Sequence, residues 1–254
     1  MDRKVVIVTG GSNGMGKAIA KKQAEQGWNV MITGRTKEKL EATKQEIETF
    51  PGQVGIFQMD VRSVEEVEAM VKETIDCFGT IDALVNNAAG NFICPAEKLS
   101  VNGWKAVIDI VLNGTFYCSQ SVGRYWIKEK KNGMIVNMVA TYAWGAGAGV
   151  IHSAAAKAGV LSLTRTLAVE WGRRYGIRAN AIAPGPIERT GGAEKLFESE
   201  EAAERTMKSV PLERLGTPEE IAGLASYLLS EQAAYINGEC VTMDGGQWLN
   251  PHPF

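Results

Sequence analysis

Short runs of apolar residues alternate with longer amphipathic segments along most of the chain. The short runs are rich in Val and Ile, which is typical of buried strands, and the longer segments have helical spacing. Strands are predicted at 5–8, 30–33, 55–61, 81–85, 134–139, 178–183 and 240–243. Helices are predicted at 14–26, 37–50, 64–78, 104–123, 151–171 and 218–230. This alternation predicts an α/β fold: a single-domain, Rossmann-type, doubly wound parallel sheet with helices on both faces.

No linker, repeat or low-complexity tract interrupts this alternation, so residues 1–254 are predicted to form one domain. The longest stretch without a predicted strand, 185–211, is rich in Glu, Lys and Gly. That segment could form a mobile lid over a binding site.

Charge and composition narrow the classes of partner. The 254 residues include 27 Lys and Arg against 29 Asp and Glu, a net charge of −2, which predicts binding neither to nucleic acid nor to an anionic membrane. No apolar stretch approaches the roughly 20 residues of a membrane span, and the apolar run after Lys4 is too short for a signal sequence. We therefore expect a cytoplasmic protein.

Histidine and cysteine usage gives no sign of a metal centre. The chain has only two histidines, and its four cysteines form no C-x-x-C pair. We interpret the cysteines as small buried hydrophobic residues.

A glycine-rich stretch, Thr-Gly-Gly-Ser-Asn-Gly-Met-Gly at 9–16, joins the first predicted strand to the first predicted helix. Glycines there let the backbone approach a phosphate at the helix N-terminus, which is typical of dinucleotide-binding proteins. Residues 11–17 also fit the nucleotide triphosphatase pattern G-x-x-x-x-G-K, but Ala18 follows where a Mg²⁺-binding hydroxyl is needed. The dinucleotide interpretation is therefore favoured.

The end of the second predicted strand indicates which dinucleotide binds. An acidic residue at this edge would bind the ribose of NAD, whereas this chain has Arg35. A guanidinium suits a 2′-phosphate, so we expect NADP(H). A solvated surface charge is the alternative interpretation of Arg35.

Along nearly its whole length, the chain resembles the short-chain dehydrogenase/reductase family. The motifs that carry the resemblance are T-G-x-x-x-G-x-G at 9–16, Asp60, N-N-A-A-G at 86–90, Asn113, P-G-P-I at 184–187 with Thr190, N-G at 237–238 and D-G-G at 244–246. The cofactor-binding residues that it implies are Gly10, Ser12, Asn13, Gly14, Met15, Gly16, Arg35, Asp60, Asn87, Lys157, Pro184, Gly185, Ile187 and Thr190. The resemblance also implies a homotetramer.

The active-site pattern departs from the common members of this family. Those members place a tyrosine four residues before the lysine that matches Lys157, where this chain has Ser153. Their usual serine is replaced by Ala140, and Val150 stands where the enoyl-carrier-protein reductase variant has its tyrosine. An aliphatic hydroxyl is too weak an acid to replace a phenol. We therefore interpret Ser153 as a small residue that makes space.

One branch of the family, the 2,4-dienoyl-CoA reductases, has a serine at that helix position and a tyrosine just after the fifth strand. Tyr142, fifteen residues before Lys157, occupies that place, and Asn91 matches the asparagine that accompanies it in the branch. The resemblance implies catalytic roles for Tyr142, Asn91, Lys157 and Asn113. It further implies substrate-binding roles for Arg62, Phe92, Ser100 and Lys195 on the CoA-ester side.

The resemblance implies NADPH-dependent reduction of a 2,4-dienoyl-CoA to a 3-enoyl-CoA in unsaturated fatty acid β-oxidation. Asn91 and Tyr142 would stabilise the developing charge on the thioester oxygen, with Tyr142 as the acid. Lys157 would hold the nicotinamide ribose, and its ammonium would lower the pKa of Tyr142. Asn113 would hold a water or a backbone group near Lys157.

Two alternatives remain open from the sequence. One is an NADP(H)-dependent oxidoreductase that acts on another carbonyl or enoyl substrate. The other is a catalytically inactive NADPH-binding protein, which Ala140 and Ser153 would suit. His152 beside Ser153 does not form a hydrolase pair, because adjacent helix residues point in different directions. We expect His152 to line the site or lie on the surface.

Overall fold

The structure is a computed structural model and describes residues 3–190 and 200–250. The strands in these ranges are β1 (Val5–Thr9), β2 (Asn29–Gly34), β3 (Val54–Gln58), β4 (Ala83–Asn86), β5 (Met134–Met138), β6 (Arg178–Pro184) and β7 (Cys240–Met243). The helices are α1 (Gly14–Glu25), α2 (Lys37–Ile47), α3 (Val64–Phe78), α4 (Val101–Ile108), α5 (Gly114–Lys128), α6 (Ile151–Tyr175), α7 (Glu200–Ser209) and α8 (Pro218–Leu228). All seven strands are parallel and lie in the order β3-β2-β1-β4-β5-β6-β7.

Helices cover both faces of the sheet. On one face α1, α2 and α8 pack their apolar sides, including Ile19 and Leu40, against the strands. On the other face α3, α5 and α6 do the same with residues such as Met70, Trp126 and Leu167. No helix in the described part of the chain combines the length and apolar character needed to cross a membrane. The predicted fold class is confirmed.

The strand order reverses direction between β1 and β4. The chain runs outward from β1 through β2 to β3 and then returns to place β4 on the other side of β1, with Val8 opposite Val85. Ligands of open parallel sheets bind in the crevice beyond the carboxyl ends of the strands at such a reversal. The residues after Thr9 and Asn86 therefore define the expected place of the site.

The helix predicted at 104–123 differs most from the structure. It begins earlier, at Val101, where the Ser100 hydroxyl accepts a hydrogen bond from the Gly103 N–H at 3.1 Å, and it ends later, at Lys128. A π-helical turn, Asp109–Asn113, separates α4 from α5. Such turns are frequent at functional sites. The other predicted boundaries differ from the observed ones by about one helical turn or less.

Two side chains lie elsewhere than expected. Of the four cysteines predicted to be buried, Cys118 is buried, Cys94 and Cys240 are half-buried, and Cys77 is exposed on α3, so the prediction is wrong for Cys77. His152 is fully buried in the first turn of α6, so a surface position for it is wrong.

Candidate active site

The glycine-rich turn lies at the carboxyl end of β1 and leads directly into α1. Gly10 has φ +62°, in the left-handed region that favours glycine, and a Cβ on Gly16 would collide with the Gly10 carbonyl oxygen. The Asn13 side chain makes no capping hydrogen bond to α1, and the first turn of α1 carries no acidic side chain. The N-terminus of α1 therefore suits an anion. Ser12 lies in the glycine-rich turn, and Gly14 and Met15 are the first two residues of α1.

Asn87 holds the glycine-rich turn against the end of β4. Its side-chain amide donates to the carbonyl oxygens of Thr9 and Gly10, each at 3.0 Å. Its backbone N–H donates to the Thr9 hydroxyl, also at 3.0 Å. Asn87 therefore shapes the turn through the protein backbone.

A cluster of charges marks the carboxyl ends of β2 and β3. Arg35 follows β2, and Asp60 lies just after β3. Arg62 donates to Asp60 through Nε at 3.0 Å and through a terminal nitrogen at 2.6 Å. These bonds hold the pKa of Asp60 below its ordinary value, and the charge of Arg35 adds to the effect. Arg62, predicted for the substrate, thus lies beside a predicted cofactor residue.

Four further predicted residues lie at the end of β6 or just after it, and the last of them, Thr190, reaches the glycine-rich turn. Pro184 ends β6, and the Gly185 N–H donates to the β7 backbone at 3.0 Å. Ile187 is buried, and its carbonyl oxygen accepts a hydrogen bond from the Thr190 hydroxyl at 2.7 Å. The Thr190 methyl group would lie 3.4 Å from a Cβ on Gly14. The two segments therefore meet across the crevice.

Tyr142 lies in a short 3₁₀ helix, Thr141–Ala143, that follows β5. Its hydroxyl lies 3.1 Å from Ser153 Oγ in a hydrogen bond that either group can donate. Burial raises the pKa of Tyr142, and the hydrogen bond to Ser153 offsets part of that rise. The net shift is thus opposite to the lowered pKa that was expected for Tyr142, because burial is its largest cause. The phenol remains protonated, and able to donate, at neutral pH.

Lys157 is buried on α6, and its Nζ donates to the Met138 carbonyl oxygen at 2.5 Å. Met138 ends β5, so this bond ties α6 to the strand that Tyr142 follows. Burial lowers the pKa of Lys157 to about 8. The ammonium group is therefore close to its titration range at physiological pH.

Asn113 is the last residue of the π turn, one residue before α5. Its side-chain amide donates to the Asp109 carboxylate at 2.8 Å. This bond spans the π turn. The observed partner of Asn113 is therefore Asp109, whereas the expected partner was a water or a backbone group near Lys157.

Three residues predicted for the site follow β4 along the chain. The Asn91 side-chain oxygen accepts a hydrogen bond from the Phe92 N–H at 2.9 Å. A Cβ on Gly103 would lie 3.0 Å from Phe92 Cζ and 3.3 Å from Ser100 Oγ. Phe92 and Ser100 therefore converge on the first turn of α4, as two residues of one binding surface would.

The remaining predicted residue, Lys195, lies outside the described residues. The predicted lid at 185–211 includes 191–199, which also lie outside them. Both expectations stay predictions.

Two contacts of the site go beyond what the sequence predicts. The Ser153 hydroxyl, besides making space, bonds to Tyr142, and Lys157 bonds to the end of β5. The sequence does indicate that Ser153 faces the site, because it precedes Lys157 by one helical turn and lies on the same face of the helix. The second contact has no such indication, because a backbone carbonyl acceptor leaves no pattern in the side chains.

The fold and this arrangement define a class of protein. A glycine-rich turn at the reversal point of a parallel sheet is typical of dinucleotide-binding enzymes, and a phenol and a lysine lie at the carboxyl end of β5. A family model described as enoyl-(acyl carrier protein) reductase matches residues 10–247. The chain belongs to the short-chain dehydrogenase/reductase family, whose members are oxidoreductases with a nicotinamide cofactor. The family resemblance is confirmed.

Relatives of known name support the same family. A Bacillus subtilis protein named probable 2,4-dienoyl-CoA reductase [(2E)-enoyl-CoA-producing] is 74% identical over all of both chains. The zebrafish peroxisomal 2,4-dienoyl-CoA reductase [(3E)-enoyl-CoA-producing] is 39% identical over 97% of this chain and 82% of its own. The crystal structure of a short chain dehydrogenase from Bacillus anthracis matches with a TM-score of 0.91 and 66% identity over 98% of each chain.

Proposed function

We propose that this protein reduces 2,4-dienoyl-CoA thioesters with NADPH. The observation that carries the proposal is the Tyr142–Ser153 hydrogen bond, which places a phenol beside the helix position where common members of the family have their tyrosine. The names of the relatives from Bacillus subtilis and zebrafish support the same substrate class. An inactive protein would have no need of this half-buried phenol bonded one helical turn before Lys157.

The crevice suits NADPH at three points. The N-terminus of α1 would hold the diphosphate, Arg35 the 2′-phosphate, and the segment from Pro184 to Thr190 the nicotinamide. Lys157, which holds the Met138 carbonyl, would also donate to the nicotinamide ribose. Asp60 would contact the adenine. When bound, NADPH would supply the hydride that reduces the diene at C5.

Side chains of the protein then stabilise the negative charge of the reduced thioester and supply the proton. Electrons displaced by the hydride move through the conjugated chain to the thioester oxygen. The Asn91 amide and the Tyr142 hydroxyl donate to that oxygen and stabilise its charge. Tyr142 gives its proton to carbon, and solvent later restores the proton to the phenol. The balance is one hydride and one proton added to the diene.

The position of the donors favours the 3-enoyl product. A group that binds the thioester oxygen lies next to Cα, whereas Cγ is two carbon atoms further along the chain. Protonation at Cα leaves the double bond at C3. The names of the relatives divide on this point: the Bacillus subtilis protein is named for a (2E)-enoyl product and the zebrafish protein for a (3E)-enoyl product.

The CoA ester lies on the side of the crevice that carries the remaining predicted residues. Phe92 and Ser100 form one surface around Gly103, and Arg62 lies at the end toward Asp60. Lys195, which lies outside the described residues, is proposed for the same ester from the family resemblance alone. The role in unsaturated fatty acid β-oxidation, the homotetramer and the cytoplasmic location belong to the same proposal.

The test is NADPH oxidation by the purified protein with 2,4-hexadienoyl-CoA, compared with acetoacetyl-CoA. The proposal expects turnover with the dienoyl thioester and little with the ketoacyl thioester. Turnover with acetoacetyl-CoA alone would indicate another carbonyl reductase, and NADPH binding without any turnover would indicate an inactive protein. In D₂O the product should carry deuterium at C2, and deuterium at C4 would contradict the Cα assignment.

A further inference from the structure

His152 is a buried imidazole that the proposed mechanism does not use. It lies in the first turn of α6 with none of its surface exposed. Neither ring nitrogen has a hydrogen-bond partner among the described residues. Burying polar atoms without partners is unfavourable, and an apolar side chain would fill the same space at lower cost. Departures of this kind are expected where function constrains a residue.

The ring of His152 packs against the ring of Phe92. The two ring centroids lie 4.5 Å apart with an interplanar angle of 76°, an edge-to-face arrangement that aromatic pairs favour. Phe92 Cζ also lies close to Gly103 of α4, 3.0 Å from where a Cβ on that glycine would be. Phe92 is therefore held between α6 and α4.

The backbone of Phe92 in turn bonds to the Asn91 side chain. The Phe92 N–H donates to the Asn91 side-chain oxygen at 2.9 Å. Since this bond fixes which end of the Asn91 amide faces the backbone, the Nδ2 group is the end that donates elsewhere. A continuous set of contacts thus runs from the His152 ring through Phe92 to the Asn91 amide.

The next residue of α6 holds the other proposed donor. Ser153 bonds to the Tyr142 hydroxyl, while His152 contacts Phe92. Successive helix residues point about 100° apart, so neighbouring positions can reach two different loops. The first turn of α6 therefore contacts both loops that carry the proposed thioester-oxygen donors.

We propose that His152 is a positioning residue that sets the Asn91 amide through Phe92, so that consecutive residues of α6 align both donors. The inference rests on the proposed role of Asn91 at the thioester oxygen. His152 itself touches neither substrate nor cofactor in this account, because its side chain is fully enclosed by protein.

Kinetics of His152→Leu test the proposal, since leucine fills the space without an aromatic edge. We expect kcat with 2,4-hexadienoyl-CoA to fall about 10-fold while the Kd for NADPH is unchanged, and His152→Phe to restore at least half of the activity. In an Asn91→Ala background, His152→Leu should cause no further loss. An equal loss in both backgrounds would overturn the proposal, because His152 would then act independently of Asn91.

A second measurement does not depend on the substrate. In protein labelled with ¹⁵N-asparagine, the Asn91 side-chain amide signals are assigned with Asn91→Ala. We expect them to shift in His152→Leu and to stay in place in Ile151→Ala, a control at an exposed position of the same turn. Unmoved Asn91 signals would overturn the positioning role. If the wild type fails to reduce the dienoyl thioester, the proposed function fails, whereas these signals still decide the structural link.

Discussion

The hydroxyl groups of Tyr142 and Ser153 lie 3.1 Å apart, so the phenol of one loop reaches the helix position from which common family members project theirs. Common members have a tyrosine where this chain has Ser153, and here a tyrosine from a different loop reaches the same place within the same fold. A serine on α6 leaves room for the tyrosine and also bonds to it. Tyr142, the proposed acid, thus lies on the loop that follows β5 and not on α6.

Ser153→Ala should reduce turnover of the dienoyl thioester modestly, by about 3- to 10-fold, the range that corresponds to one neutral hydrogen bond. The phenol would remain in place but lose the partner that orients it. Steady-state kcat on the single variant and in a Tyr142→Phe background checks this. A loss on the order of 10²-fold would mean that Ser153 itself takes part in proton transfer.

Arg35→Asp should abolish a preference for NADPH over NADH. The charge-assisted contact with a 2′-phosphate predicts that wild-type kcat/KM favours NADPH by about 10-fold or more, whereas a carboxylate would repel that phosphate. Lys37→Asp is the matched control, because Lys37 is an exposed lysine nearby that pairs with Glu41 on α2. Equal values for the two cofactors in the wild type would contradict the assignment of Arg35.

The affinity for NADPH should fall as the pH rises through about 8, where burial has placed the pKa of Lys157. The protonated amine has three N–H donors, of which one serves the Met138 carbonyl, and the neutral amine keeps only two. Binding is therefore strongest below that pKa and weakens above it. Fluorescence titration of the Kd between about pH 6.5 and 9.5 measures the effect.

Lys157→Arg is the control for this pH dependence. Its guanidinium stays charged throughout the range, so the step near pH 8 should disappear even if the Kd itself is weaker. A step of the same size in Lys157→Arg would assign the titration to another group.

The sheet, the glycine-rich turn and the place of Tyr142 could all be predicted, because each depends on local pattern. Apolar runs mark buried strands, and Tyr142 follows the run that becomes β5. The π turn at Asp109–Asn113 could not be predicted, since apolar spacing alone does not show where an extra residue enters a helical turn. The burial of a side chain by residues from other elements could not be predicted either. The raised pKa of Tyr142 and the enclosure of His152 both come from side chains distant in sequence.

The central claim is that Tyr142 supplies the phenol for this reaction, and Tyr142→Phe tests it most directly. Tyr125→Phe is the control, because Tyr125 lies on α5 in a groove with Gly79 and Lys131, away from the carboxyl ends of the strands. Stopped-flow measurement of NADPH oxidation with 2,4-hexadienoyl-CoA should show turnover lowered by roughly 10²- to 10⁴-fold in Tyr142→Phe, with the Kd for NADPH nearly unchanged and Tyr125→Phe close to wild type. Near-normal turnover in Tyr142→Phe would contradict the claim and show that another group or water delivers the proton.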